Sequence, residues 1–507
     1  MTLDANKQDL RIGVIGTGTM GAGIAQIAAQ AGIEVRMYDA KAGAVDAARA
    51  GIASVLGKQV EKGKLAKESL EATLARLKGA SALEEMADCD VVIEAVIEKL
   101  DLKQELFRSL ERIVRSDAIL ATNTSSLSVT ALAAACAHPG RVAGYHFFNP
   151  VPLMKVVEVV DGALTEPWIT QALAAMAQRM GHTAVRAKDM PGFIVNHAGR
   201  AFIPEGLRIV SEGVAEFHTV DRIMKDAAGF RMGPFELADL VGLDMGLMVM
   251  ESLYNQYYQE PRFRITPLAS QRVAAGLHGR KTRRGFYDYS SGGPAPIADP
   301  PVPARADVPV WVSGANPELA DRVRAALAQD RIPVQTGAAP SPDALIMVAP
   351  LGQDATTSCI EQGLDARRAV AVDALFPMNQ RRTLMCSPAT APEFRDAAHA
   401  YLAAGGVPVS VIRDSPGFVA QRIVAQIVSI GCDIAQQRIA SPRDIDLAVR
   451  LGLNYPSGPF AMGDALGPKR VLAILENLYT FYGDTRYRPS PWLKRRALLG
   501  LSLLHED

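Results

Sequence analysis

Cysteine is scarce in this chain: five among 507 residues, at positions 89, 136, 359, 386 and 432, with no C-x-x-C pair and no histidine cluster beside them. That pattern argues against a disulfide framework and a zinc site, so no metal is expected, and it fits a reducing compartment. An excess of one charge is also missing. Lys+Arg and Asp+Glu balance at 54 each, so neither nucleic acid nor an anionic membrane is expected as a partner. No stretch reaches the roughly 18 apolar residues that span a bilayer. Met1 to Asp9 is polar, without the apolar core of a secretory signal. A cytoplasmic protein is the expectation. The remaining composition, 49% hydrophobic and 21% charged, suits substantial cores over a length that suggests about three domains.

What is present begins with one short tract. Tyr145-His146-Phe147-Phe148-Asn149-Pro150 precedes Glu158, which sits inside Val156-Val157-Glu158-Val159-Val160. Valines on both sides of an acid read as a strand buried on both faces. A carboxylate there is costly without a partner, so pairing or a strong pKa shift is expected. His146 is the nearest candidate, and a carboxylate that orients an imidazole makes a usable general base near neutral pH. A histidine beside aromatics also serves as a satisfied core residue. The tract alone leaves both readings open.

Arg11-Ile12-Gly13-Val14-Ile15 reads as a strand that runs into Gly16-Thr17-Gly18-Thr19-Met20-Gly21, a G-x-G-x-x-G. An Ala/Ile-rich helix follows over residues 22–31 and Gly32 closes it. The glycines serve a tight turn, close approach of backbone to a pyrophosphate, and helix-on-strand packing. The helix N-terminus then offers N–H groups and partial positive charge to phosphates. A second strand, residues 34–39, ends in Asp39, at the spacing past the glycines where dinucleotide folds carry their ribose-binding acid. That carboxylate can accept both ribose hydroxyls and would repel a 2′-phosphate. Gly16, Gly18, Met20, Gly21 and Asp39 are therefore read as a site for NAD rather than NADP. Two more apolar strands, over 90–96 and 118–126, extend the sheet. Glu98, Asn123, Ser125 and His146 fall at carboxyl ends, where open parallel sheets bind ligands. Asn123 and Ser125 also read as turn formers.

With these residues assembled, the chain resembles the short-chain 3-hydroxyacyl-CoA dehydrogenases. The matching tracts are Gly16 to Gln26, Asn123-Thr-Ser-Ser, the His146 tract, Glu158, Asp189 to Asn196, and Gly279 to Tyr287. The family motif has Thr-Gly where this chain has Thr282-Arg283. The resemblance implies His146 as base, Glu158 as its orienting partner, and Ser125 and Asn196 as polar contacts to the substrate. It also implies that Glu98, Lys103, Asn149 and Lys281 contact the cofactor or CoA. Asn196 is expected on a second domain that closes over the cofactor, after the helix-starting Pro191. Ser54, Lys58 and Lys62 lie on a helical stretch that could meet CoA phosphates, and such lysines also read as a solvated face. A β-hydroxyacid dehydrogenase with Lys188 as base is a rival reading, which His146 and Glu158 disfavour. A non-catalytic NAD-binding protein is another.

The expected architecture is α/β plus all-α: a Rossmann-type sheet over 1–187, a helical domain over 188–289, then a degenerate second copy of both. Residues 290–307, rich in Pro and Gly, read as a semi-rigid linker. Asp414-Ser-Pro-Gly-Phe418 answers Asp189-Met-Pro-Gly-Phe193 at a numbering offset of 225, and Asp446, Gly458-Pro-Phe460 and Asp464 keep that register. This marks 413–507 as a second helical domain, with Gln421 in place of Asn196. Residues 308–412 read as a reduced Rossmann-like unit with Ser313-Gly314-Ala315-Asn316 where a glycine loop belongs. Arg382 to Pro388 reads as the echo of Arg141 to Pro150, without a histidine. The second half is expected to act as an internal pseudo-dimer partner, a homo-oligomer being the alternative. This layout resembles long bacterial members of the family that oxidise 3-hydroxyadipyl-CoA in phenylacetate degradation. A general short-chain 3-hydroxybutyryl-CoA dehydrogenase is the alternative.

Overall fold

A computed structural model describes residues 3–507. Two compact units emerge. One holds the residues up to His197 together with Gln437–Asn454; the other holds Ala198–Gln436 and Tyr455–Asp507.

The first unit is built on eight strands: β1 (Arg11–Ile15), β2 (Glu34–Tyr38), β3 (Leu77–Gly79), β4 (Val91–Glu94), β5 (Ile119–Thr122), β6 (Val142–Phe147), β7 (Val156–Asp161) and β8 (Thr183–Lys188). Their order is β3-β2-β1-β4-β5-β6-β7-β8. The β1 to β6 strands run parallel, β7 lies antiparallel to β6, and β8 runs parallel to β7. Order β3-β2-β1-β4-β5-β6 is that of doubly wound dinucleotide folds. Apolar runs such as Val156–Val160 are buried throughout, as a sheet covered on both faces requires. Reversal at β7 has a consequence for chemistry: it sets His146 directly opposite Glu158 across the β6–β7 ladder.

The second unit contains a six-stranded sheet: β9 (Val310–Val312), β10 (Val334–Gln335), β11 (Leu345–Val348), β12 (Ala369–Val372), β13 (Arg382–Cys386) and β14 (Val409–Arg413), in the order β10-β9-β11-β12-β13-β14. Its connectivity shows what was deleted. The β13–β14 register, Arg382 opposite Val409, repeats the β7–β8 register, Val157 opposite Ala184, at the offset of the repeat. The β12–β13 pair is antiparallel, like β6–β7. At the other edge, only the short segment 336–344 separates β10 from β11, where the long stretch 39–118 separates β2 from β5. The counterparts of β3 and β4 are gone, and with them those of Glu94, Glu98 and Lys103.

Arg382 to Pro388 does not echo the histidine tract, because β13 takes the place of β7. The true counterpart of Tyr145 to Pro150 is Val372-Asp373-Ala374-Leu375-Phe376-Pro377. Both segments end in proline and lead out of the strand antiparallel to β13 or β7. Sequence similarity misled because strand composition repeats more readily than register.

Helices of the second unit pack around Ala420–Gln436, which is buried over nearly its whole length and lies against Phe202–Ser211, Pro459–Leu466, Pro468–Tyr482 and Pro491–Leu499. Arg422, wholly buried, pairs there with Glu205 at 2.7 Å. Residues 294–309 form neither helix nor strand, but Asp299 is pinned by Arg222 and Arg381. No helix among the described residues is long and apolar enough to cross a membrane.

Candidate active site

The glycine loop shows what each glycine is for. Gly16 has φ +88°, and a Cβ there would lie 2.6 Å from the Ala95 carbonyl oxygen at the end of β4. A Cβ on Gly21 would lie 1.8 Å from the Gly16 carbonyl oxygen. Gly18 differs: a Cβ would meet nothing within 4 Å, so this side of the loop stays open. Helix Thr19–Gln30 begins directly after it and carries no acidic side chain in its first turn. This is a cradle that fits a pyrophosphate. Asp39 closes the loop, accepting from the Thr17 N–H at 2.7 Å and the Lys41 N–H at 2.9 Å. Burial works against charge at Asp39, and the Thr17 and Lys41 hydrogen bonds override it, holding the carboxyl below its usual range. Arg36 is held away by Asp88, at 2.9 Å.

At the next rim position, Lys103 is almost completely buried and its ammonium meets Glu94 and Glu98, each at 2.8 Å. Glu94 also accepts from the Thr122 hydroxyl at 2.7 Å. Glu98 gathers the following loop: it accepts from the Ser125 N–H at 3.0 Å, the Ser126 hydroxyl at 3.0 Å, and the Thr124 hydroxyl. Burial opposes charge at Glu98, but Lys103 and these hydroxyls hold its carboxyl below the ordinary value. Glu94, absent from the sequence-based set, is the buried acid that fixes Lys103. Its signal was a glutamate that ends an apolar strand shortly before a lysine.

The third group is the histidine pair. His146 Nδ1 lies 2.6 Å from Glu158 Oε2, with Glu158 fully buried. The other carboxylate oxygen accepts from the Ile194 N–H at 2.9 Å and the Val195 N–H at 2.8 Å. Those amides are aimed by Gly192 and Phe193, at φ +76° and +46°. One carboxylate thus fixes both the imidazole and the short helix Val195–Ala198, which carries half-buried Asn196. Asn196 lies in the first unit with the sheet. Phe148 and Phe193 flank the imidazole, with ring centroids 4.5 and 5.8 Å away. Asn123 Oδ1 accepts from the Phe147 N–H at 2.9 Å, joining the Ser125 loop to the histidine strand. The strand's exit passes the nucleotide helix. A Cβ on Gly23 would stand 2.8 Å from that of Val151, just past Asn149-Pro150.

The remaining sequence-predicted residues lie elsewhere. Ser54 and Lys58 lie exposed on Ala44–Glu61, and Lys62 is exposed just beyond it. Lys281 belongs to the second unit, where its ammonium pairs with Asp244. In the degenerate copy, Asn316 caps its own helix, Pro317–Gln329, through the Leu319 N–H. That takes up an amide a phosphate would use.

Together, the doubly wound sheet, the open glycine cradle with its acid, and the histidine–carboxylate pair on one rim define a nicotinamide-dependent dehydrogenase. Comparison with known proteins narrows the class. Residues 11–190 match the 3-hydroxyacyl-CoA dehydrogenase NAD binding domain. Residues 192–289 match the C-terminal domain of the same family, and residues 417–502 match it again. The chain belongs to the 3-hydroxyacyl-CoA dehydrogenase family and is an NAD-dependent enzyme of that kind. It is 37% identical over 490 residues to a 3-hydroxyadipyl-CoA dehydrogenase of Escherichia coli, covering 96% of this chain and 97% of that one. A probable 3-hydroxybutyryl-CoA dehydrogenase of Deinococcus radiodurans is 43% identical over 280 residues, 55% of this chain and 100% of its own length. Among solved structures, a 3-hydroxybutyryl-CoA dehydrogenase from Escherichia coli superposes with a TM-score of 0.86 at 36% identity, covering 97% of this chain and 99% of that chain.

Proposed function

We propose that the chain oxidises (3S)-3-hydroxyacyl-CoA to 3-oxoacyl-CoA with His146 as general base, and that 3-hydroxyadipyl-CoA is its substrate. When bound, NAD⁺ supplies the acceptor for the hydride that leaves C3. The single observation that carries the residue roles is the 2.6 Å contact between His146 Nδ1 and buried Glu158. With the Nδ1 proton held by the carboxylate, Nε2 keeps the lone pair that takes the alcohol's proton. Glu158 then offsets the imidazolium charge, and the Ile194 and Val195 amides compensate the burial of the acid. Ser125 and Asn196 donate to the substrate oxygens where charge develops. Gly16, Gly18, Met20, Gly21 and Asp39 hold the dinucleotide. Glu98, steadied by Lys103, orders the Ser125 loop beside it, while Asn149 completes the cofactor contacts. Ser54, Lys58 and Lys62 present one helix face to the CoA phosphates.

The dicarboxylyl substrate is supported by similarity to a 3-hydroxyadipyl-CoA dehydrogenase along nearly its whole length. A second reading, a short-chain 3-hydroxybutyryl-CoA dehydrogenase, is favoured by the relatives that match 55% of the chain at 43% identity. A panel of 3-hydroxyacyl-CoA thioesters with and without a terminal carboxylate, followed by NADH absorbance, separates the two. A higher kcat/KM for the carboxylate-bearing thioester is expected; equal values sink the adipyl reading. The second half serves as an internal partner, which its second C-terminal-domain match supports. The five free cysteines suit a reducing, cytoplasmic setting.

A further inference from the structure

Helix Pro442–Gly452 lies, by sequence, inside the second helical copy, yet it forms part of the unit that holds His146 and Glu158. It packs on β7, the strand of Glu158, and on β8. The Lys188 N–H donates to the Ile439 carbonyl at 2.8 Å and ties the segment down just before that helix. The tie has a double in the other unit, where the Arg413 N–H donates to the Val214 carbonyl at 2.9 Å, donor and acceptor being the repeat counterparts of Lys188 and Ile439.

The helix ends on Gly452 against Val195. A Cβ on Gly452 would sit 2.9 and 3.0 Å from the two γ-carbons of Val195. Gly452 is not among the glycines with positive φ, so backbone freedom does not explain it. Glycine within a helix is unfavourable relative to alanine, and here the close approach accounts for it. Val195 has little room to yield, being β-branched and 2% exposed. Its N–H donates to Glu158 Oε1 at 2.8 Å, and Asn196 follows it. In the repeat the pair becomes Ala227 and Ala420, so the large residue shrinks where the glycine gains a methyl group.

We propose that Gly452 is a positioning residue for the dehydrogenase reaction: the missing side chain on the second copy's helix seats Val195, and through its amide sets Glu158 and Asn196. The second copy thereby completes the catalytic unit. The inference rests on the roles assigned above to Glu158 and Asn196.

The test is a double-mutant cycle in the full chain, with acetoacetyl-CoA and NADH. Gly452→Ala is expected to lower kcat about tenfold or more, since displacing a catalytic contact by a fraction of an ångström is costly. KM for NADH should stay within about twofold of the parent, because the glycine cradle lies away from this contact. In the Val195→Ala background, where the γ-carbons are gone, the same substitution should cost less than about twofold. An unchanged kcat in Gly452→Ala, or an equal loss in both backgrounds, overturns the proposal. Glu158→Gln, assayed in parallel, reports on the underlying roles: if it alone keeps full turnover, those roles fail rather than the seat.

Discussion

Asp373 occupies in the second sheet the place that His146 occupies in the first. His146 stands opposite Glu158 on β7. Asp373 follows β12 and donates its N–H to the carbonyl of Thr383, the repeat counterpart of Glu158. Gln421, the counterpart of Asn196, donates its side-chain amide to Asp373 Oδ1 at 2.9 Å. The positions of His146, Glu158 and Asn196 survive as an acid, a hydroxyl and an amide. The left-handed turn survives as well, at Gly417 and Phe418 with φ +74° and +50°. Geometry outlasted chemistry.

Burial pushes the Asp373 carboxyl up to about 6, against the pull of Gln421 and the Leu375 N–H. A raised acid binds its proton more tightly folded than unfolded, so its contribution is complete below the ordinary value of about 4 and fades as pH climbs through 6. Asp373→Asn, which keeps an oxygen for Gln421, should therefore flatten the stability profile between pH 4 and 6. It should also raise the melting temperature at pH 8 relative to the parent. Thermal melts across that range check it, and a parent-like slope would mean that Asp373 is already charged.

His146→Gln should reduce turnover by about 10²- to 10⁴-fold, the usual contribution of a general base. NADH binding, read by fluorescence titration, should stay within a few-fold, since the glycine cradle and Asp39 are untouched. Near-normal rates with acetoacetyl-CoA would remove the base from the mechanism.

Much of this was legible in the chain. The glycine loop, its acid and the valine-flanked Glu158 were readable because burial and backbone approach constrain residue type directly. The repeat was readable because turn residues mark register. The partner of Lys103 was not, since a buried ion pair depends on a helix folding back over its strand. Nor was the counterpart of the histidine tract: pairing direction decided between Asp373 and the tract at Arg382, and direction leaves no mark on composition. The transfer of Pro442–Gly452 to the first unit was equally hidden, because side chains that pack on their own copy and on another look alike.

Lys103 is 1% exposed and Glu94 not at all, so removing Lys103 leaves the Glu94 charge buried with hydrogen bonds from Thr122 and Val96 but without its counter-ion. Lys103→Met should cost about 3–5 kcal/mol of unfolding free energy. Adding Glu94→Gln should recover a good part of it. Because Lys103 also holds Glu98, KM for NADH should rise in the single variant. Urea titrations of both variants decide the point; equal losses in single and double would mean that the pair contributes nothing as a pair.

Arg422 poses the same question deep in the second unit, where it meets Glu205 at 2.7 Å and Glu212 at 2.7 Å. Arg486 reaches Glu205 at 3.4 Å, and the Tyr487 hydroxyl donates to the same carboxylate at 2.7 Å. Burial opposes charge at Glu205, but Arg422, Arg486 and Tyr487 prevail and hold its carboxyl below the ordinary range. A depressed acid contributes stability above its unfolded value of about 4.3, and that contribution drains away as pH falls through the lower folded value. Arg422→Met should cost about 3–5 kcal/mol near neutrality, because Glu205 is left with too little compensation. The loss should shrink as acid neutralises Glu205, so the melting temperatures of parent and variant should converge towards low pH. Curves that stay parallel down to pH 3 would mean that Arg422 acts there through packing, with its charge of no account.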